Sequence, residues 1–166
     1  SGTGSENFSV SSDGTVTLAS GLDYETATAY EITLTASDGA NSVSETLTIN
    51  VGDINEAPSL TNSLAASSFA ENVSTGTIIA TASASDPESQ TITYSLSGTG
   101  SDKFAVDSAG NITLSSALDY ETTTSYSLTL TASDGTNSTS NTINVSVDDV
   151  VELSIALASS SISLSE

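Results

Sequence analysis

Seven acidic side chains gather in short motifs: Asp23 and Glu25 in LDYE, Asp53 and Glu56 in DINE, Asp86 and Glu88 in SDPE, and Asp134 in TASDG. Asn55 lies inside the second of these. Carboxylates and an amide oxygen at D-x-N-E and D-x-E spacing, beside carbonyl-rich turns, are the hard donors that Ca2+ takes about six to eight at a time. Mg2+ fits less well, because it keeps its waters and a strict octahedron. With no His and no Cys, softer transition metals find little to hold them. The same inventory removes most catalysis, since there is no His base, no Cys nucleophile and a single amine, Lys103. Asp86 and Glu88 are the type of carboxylate pair that cleaves glycosides, but a cation site accounts for them better, and no enzyme is expected.

Plainer readings stand beside these. Asp13 and Asp107 sit in SDG and DSAG, ordinary turn sequences in which Asp caps its own turn and Gly takes positive φ. Asp134 could do the same, and Asp23 and Asp119 could merely end a strand. Asp53 to Glu56 could be a solvated linker, although close carboxylates repel one another unless something compensates them.

The whole chain carries 21 acidic residues against one basic residue, a net charge of −20. Nucleic acid and anionic membrane surfaces are bound through Lys and Arg, so neither is an expected partner. Self-repulsion on this scale makes bound cations a natural expectation. No Cys means no disulfide, and metal could staple an exported protein instead. No stretch approaches the roughly 18 apolar residues of a spanning helix, so no membrane insertion is expected of this segment. No signal peptide opens the chain, which begins in mid-pattern, so any such segment is expected to lie outside it.

The elements that must position these motifs are strands. In AYEITLTAS, Tyr30, Ile32, Leu34 and Ala36 alternate with Glu31, Thr33 and Thr35, the period-two signature of a half-buried strand. Residues 1–55 align without a gap on residues 97–151, and 32 of the 55 pairs are identical. A period of 96 residues suits one whole β-sandwich better than a solenoid rung. One period holds seven short strands: SLAASSFAE, TGTIIATAS, QTITYSLSG, KFAV, NITLSS, YSLTLTAS and NTINVSV. The expected fold is all-β, a Greek-key, immunoglobulin-like β-sandwich of seven strands per repeat in tandem array. Tyr30, Tyr94, Tyr126, Phe8, Phe69 and Phe104 are expected in its cores. The Thr- and Ser-rich positions are expected on solvent-facing strand surfaces.

The repeat register divides the chain into residues 1–55, the C-terminal part of a first repeat, residues 56–151, a complete repeat, and residues 152–166, the first strand of a third. Residues 1–55 lack the opening two or three strands, and the chain is expected to be a window on a longer array.

The motifs FAEN at 69–72, SDPE at 85–88, LDYE at 22–25 and 118–121, ASDG at 36–39 and 132–135, and DINEAP at 53–58 resemble, in this order, the cadherin repeat. That family's signatures are an opening Glu, D-x-D, L-D-R-E, A-x-D-x-G and D-x-N-D-N-x-P, and it places up to about three Ca2+ ions in each linker between domains. The resemblance implies a first junction built from Asp23, Glu25, Asp53, Asn55, Glu56, Asp86, Glu88 and Asp134, with the main-chain oxygens of Ile54 and Ala57. It implies a second junction at Glu71, Asp119, Glu121, Asp149 and Glu152, enough for about two ions. Glu88 and Glu56 replace Asp, and Tyr24 and Tyr120 replace Arg, changes that keep the oxygen chemistry. At the second junction DDVVELS replaces GDINEAPS, so Val151 stands at the Asn position.

The Ser- and Thr-rich composition, 60 of 166 residues, resembles the acidic repeats of large bacterial surface adhesins. The resemblance implies an extracellular, cell-surface spacer and adhesion module stiffened by Ca2+. Its expected partners are neighbouring repeats of the same protein and a homophilic or heterophilic surface partner or polysaccharide. Two alternatives stand beside it: a module that binds a polysaccharide or protein, and a filament subunit whose open first repeat is completed by strands of a neighbouring chain.

Overall fold

The structure is a computed structural model describing residues 1–152, and it divides into two compact units, Ser1–Ala57 with Asp86–Gln90, and Pro58–Ser85 with the chain from Thr91 onward. The strand expected at 152–166 falls almost wholly outside the described residues.

In the first unit, β1 (Phe8–Val10) pairs antiparallel with β2 (Val16–Leu18), and β3 (Ala29–Ser37) with β4 (Ser42–Asn50). The β3–β4 turn is built by its sequence: Asp38 Oδ1 accepts the N–H groups of Ala40 and Asn41 at 2.9 and 2.7 Å, and Gly39 takes φ +92°. Tyr30 and Ile32 are buried, and Tyr30 meets Phe8 edge to face with centroids 5.6 Å apart.

The second unit is the two-layered sandwich its alternation calls for. One sheet is ordered β5 (Ser59–Leu64), β7 (Ile78–Ser85), β10 (Asn111–Leu114), β9 (Phe104–Val106). The other is ordered β6 (Phe69–Ala70), β12 (Ser138–Asp148), β11 (Ser125–Ser133), β8 (Thr93–Ser97). Inward positions Ile79, Ile112 and Leu114 face a core shared with Leu128, Leu130, Ile143 and Val145. Phe69 and Phe104 complete that core, as expected, with Tyr126 stacked edge to face on Phe104 at 5.4 Å. The opening run counted as one strand in the sequence contributes one to each sheet. After β5 the segment 65–68 crosses over, and β6 joins β12 in parallel with Phe69 opposite Val147. Switching sheets lets Phe69 reach the core while Leu60 and Leu64 pack from the other layer.

The 96-residue equivalence exposes how the units differ. Leu114 is 1% exposed and its counterpart Leu18 is 56% exposed; for Ile143 and Leu47 the figures are 1% and 39%. In the second unit β5 and β7 cover that face, and residues 1–57 hold no counterpart of either strand. The first unit therefore carries an open groove of about 930 Å3 lined by Phe8, Val10, Val16, Ile32, Leu34 and Val43.

Candidate metal centre

Loops outside the strands bring two acidic clusters together. In the first unit, carboxylate oxygens of Glu25, Asp53 and Glu88 lie within 4.8 Å of one another. Glu25 comes from the turn after LDY, Asp53 from the segment leaving β4, and Glu88 from the 86–90 loop. The loop is tightly folded: Ser89 N–H donates to the Asp86 carbonyl at 3.1 Å, Gln90 N–H donates to Asp86 Oδ1 at 3.1 Å, and Ser89 sits at φ +59°. A non-glycine residue in the left-handed region signals a backbone held by its surroundings.

Glu88 Oε1 accepts the Glu56 N–H at 3.4 Å. Hydrogen bonding to Glu88, burial, and the charges of Glu88 and Glu25 push the Glu56 carboxyl up to about 7, while the same contact holds Glu88 below its ordinary range. Asn55 donates through Nδ2 to the Glu56 carbonyl at 3.1 Å and accepts through Oδ1 from the side-chain amide of Gln90. Gln90 is the residue that reading the sequence missed. Its place four residues after Asp86 in the D-P-E turn is the signal that marks it.

In the second unit, oxygens of Glu71, Glu121 and Asp149 likewise lie within 4.8 Å of one another. Glu71 is 6% exposed and its carboxylate accepts two main-chain donors, Tyr120 N–H at 2.8 Å and Val150 N–H at 2.7 Å. Those bonds hold its carboxyl below the usual range. Glu121 moves the other way: against a main-chain hydrogen bond that favours its charge, burial and the charges of Glu71, Asp149 and Glu152 raise it. Glu71, Glu121 and Glu152 border a cavity of about 360 Å3 with Asn72, Leu118 and Asp119.

Other residues singled out in the sequence have local duties. Asp23 Oδ1 accepts the Thr26 N–H at 3.0 Å. Both oxygens of Asp119 are engaged by Thr122, at 2.9 Å to its N–H and 2.8 Å to its hydroxyl. Asp134 Oδ1 accepts from Thr136 and Asn137 at 2.6 Å each, closing the β11–β12 turn. Glu152 contributes charge to the second cluster from the segment after β12.

The donor set is wholly oxygen. Asp86 Oδ2 and Glu88 Oε2 are buried and accept no hydrogen bond among the described residues. A buried carboxylate oxygen without a donor is costly unless a cation satisfies it, so the residues present fit a hard divalent ion.

The sequence model of the cadherin domain matches residues 66–148. The protocadherin-like wing polarity protein stan of Drosophila melanogaster is 37% identical over 147 residues, 81% of this chain and 4% of that protein. Cadherin-23 of Homo sapiens is 37% identical over 133 residues, 76% of this chain and 4% of its own length. The chain therefore spans about 4% of the length of these relatives. Among solved structures, human protocadherin-24 EC1-2 is 27% identical, with a TM-score of 0.59 over 91% of this chain and 80% of that one. Mouse cadherin-23 EC22-24 is 28% identical, with a TM-score of 0.56 over 87% of this chain and 50% of that one.

Proposed function

The chain belongs to the cadherin family, and on that footing we propose that it is a calcium-rigidified spacer and adhesion module of a large surface protein. Cadherin domains are extracellular, non-enzymatic adhesion modules of tandem arrays, and they generally bind Ca2+. For this chain, the observation that carries the reading is the pair of orphaned buried oxygens, on Asp86 and Glu88, beside the Glu25–Asp53–Glu88 cluster.

In this proposal Glu25, Asp53, Asn55, Glu56, Asp86 and Glu88 hold calcium at the first junction, and Glu71, Glu121 and Asp149, with Glu152, hold it at the second. Asp23, Asp119 and Asp134 hold their own loops in shape. Bound calcium supplies positive charge that cancels the repulsion among these carboxylates, so segments that would spread apart are drawn into one fixed geometry. The chain's own contribution is prearrangement: Gln90 holds Asn55, the N–H groups of Tyr120 and Val150 hold Glu71, and the tight 86–90 loop fixes Asp86. Repeats at 1–55, 56–151 and 152–166 belong to the same reading, supported by the internal identity.

Calorimetric titration with calcium and a thermal melt with and without EGTA test it. Saturable binding and a midpoint several degrees higher in calcium are expected, since about 100-fold excess over Kd stabilises by about 2.7 kcal/mol. An unchanged midpoint with no heat of binding would overturn it. The Ser- and Thr-rich, Cys-free composition supports a parent of bacterial adhesin type. Antibody labelling of intact source cells tests that parentage, and labelling only after permeabilisation would sink it.

The open groove of the first unit favours a second reading, a filament subunit completed by a neighbouring chain. Light scattering distinguishes it, because a strictly monomeric chain at high concentration rules it out.

A further inference from the structure

In the second unit, β6 and the residue after it complete the end of β12. Phe69 and Ala70 lie opposite Val147 and Asp148, and the Glu71 N–H donates to the Asp148 carbonyl at 3.1 Å. The Glu71 carboxylate then takes the N–H groups of Tyr120 and Val150.

The first unit builds the same frame without that strand. Asp23 Oδ1 accepts the Thr26 N–H at 3.0 Å, as Asp119 Oδ1 accepts that of Thr122 at 2.9 Å. Val51 N–H donates to the Thr28 carbonyl at 2.9 Å, as Val147 N–H does to the Thr124 carbonyl at 2.9 Å. Tyr24 and Ile54 stand where Tyr120 and Val150 stand, and their N–H groups meet no acceptor among the described residues. β4 pairs with β3 along one edge and, among the described residues, with no strand along the other. It also stops at Asn50, the counterpart of Ser146, whereas β12 runs on to Asp148. The end of the strand is lost where its partner is missing, and an open edge of this kind is a template for another chain.

Outside the described residues, 162–166 read ISLSE, with Leu164 two positions before Glu166 as Phe69 is two before Glu71. We propose that residues 164–166 of a second copy add in parallel to the end of β4. Leu164 of that copy lies opposite Val51 and Ser165 opposite Gly52, and the Glu166 carboxylate takes the N–H groups of Tyr24 and Ile54. One chain carries both the open edge and the segment that fits it, so copies join head to tail. This deepens the reading of a subunit completed by its neighbour, and rests on it.

The chain has no cysteine, so engineered disulfides report the register directly. Full-length Val51→Cys and Leu164→Cys chains are mixed under mild oxidation, in calcium to offset repulsion of Glu166 by Glu25 and Asp53, and the mixed dimer is read on a non-reducing gel. Residues paired across strands about 4.8 Å apart fall within disulfide reach. The mixed dimer should form about tenfold faster than with Ser42→Cys, at the far end of β4, in place of Val51→Cys. Adding Glu166→Ala to the Leu164→Cys chain should slow it about tenfold, the least that a hydrogen bond to a charged group is worth. Gly52→Cys with Ser165→Cys, the next pair in register, repeats the test if Val51→Cys unfolds the first unit. A rate no faster than the Ser42→Cys control, a rate unmoved by Glu166→Ala, or a disulfide that closes only within a double variant overturns the proposal. If light scattering of the parent still shows assembly in that case, the neighbour-completed subunit stands on another contact; a monomeric parent with no mixed dimer overturns both.

Discussion

If the Glu56–Glu88 pair holds calcium as proposed, the ion must displace a proton to use it. Glu56 is pushed up to about 7 by Glu88, by burial and by Glu25, so at neutral pH the pair carries close to half a proton that no free glutamate would carry. For an apparent pKa of about 7, the protonated fraction falls from ~0.9 at pH 6 to ~0.1 at pH 8. A cation that needs the ionised pair therefore binds about tenfold more weakly at pH 6 than at pH 8, and releases ~0.9, ~0.5 and ~0.1 proton at pH 6, 7 and 8. Calorimetry in buffers of different ionisation enthalpy reads that proton count directly. In Glu56→Gln, release at this junction should vanish and the affinity should become flat across the range. The calcium-free protein should show the matching stability trend. A raised folded-state pKa stabilises fully below the unfolded value, near 4.5, and the contribution is lost as pH rises through about 7. The parent should then melt higher at pH 6 than at pH 8 in EGTA, and Glu56→Gln should lose that difference. Proton release that is pH-independent in the parent, or unchanged in Glu56→Gln, would refute the proton held by the pair.

Other outcomes follow from the packing and from the second cluster. Glu71 has a lowered pKa, so its contribution is present above the unfolded value and lost as pH falls through the lower folded one; Glu71→Gln should flatten the acid limb of an EGTA melt series below pH 4.5. Leu128→Ala removes a side chain with no exposure and should cost about 2–5 kcal/mol in urea unfolding, whereas Val43→Ala, 69% exposed, should stay within about 0.5 kcal/mol. Gly100→Ala should destabilise by about 1–3 kcal/mol, because Gly100 sits at φ +79° and a Cβ there would lie 2.5 Å from the Tyr126 ring.

Much of the fold was legible because burial acts through period two. Tyr126, Leu128, Leu130 and Ala132 alternate in the sequence and are the buried positions of β11. The crossover between β5 and β6 was not legible, since SLAASS offers no Gly, Pro, Asn or Asp to mark a break and only the position of Phe69 in the core shows why the chain changes sheets. The exposed face of the first unit followed from the repeat register, but the degree of opening, with Leu18 more than half exposed, needed coordinates. At the clusters, residue type and spacing marked Glu25, Asp53 and Glu88 as candidate ligands, and the resemblance to the cadherin repeat grouped these and set Glu71 with Glu121 and Asp149. Spacing could not tell that both oxygens of Asp119 turn inward to Thr122, nor that a neutral glutamine supports Asn55, because hydrogen-bond partners are chosen in three dimensions.

The parallel pairing of β6 with β12 has a mechanical consequence. The two strands run in the same direction, so tension that reaches β6 from β5 and leaves through β12 loads opposite ends of one ladder. Such a load slides the strands past each other in shear and must break the cross-strand bonds together, where a hairpin would unzip one bond at a time. The ladder itself is short, and its reinforcement comes from Glu71, which donates its N–H to the Asp148 carbonyl at 3.1 Å and grips the Val150 N–H with its carboxylate. The acidic side chain that gathers the second cluster is thus also a rivet at the point where pulling force leaves the domain.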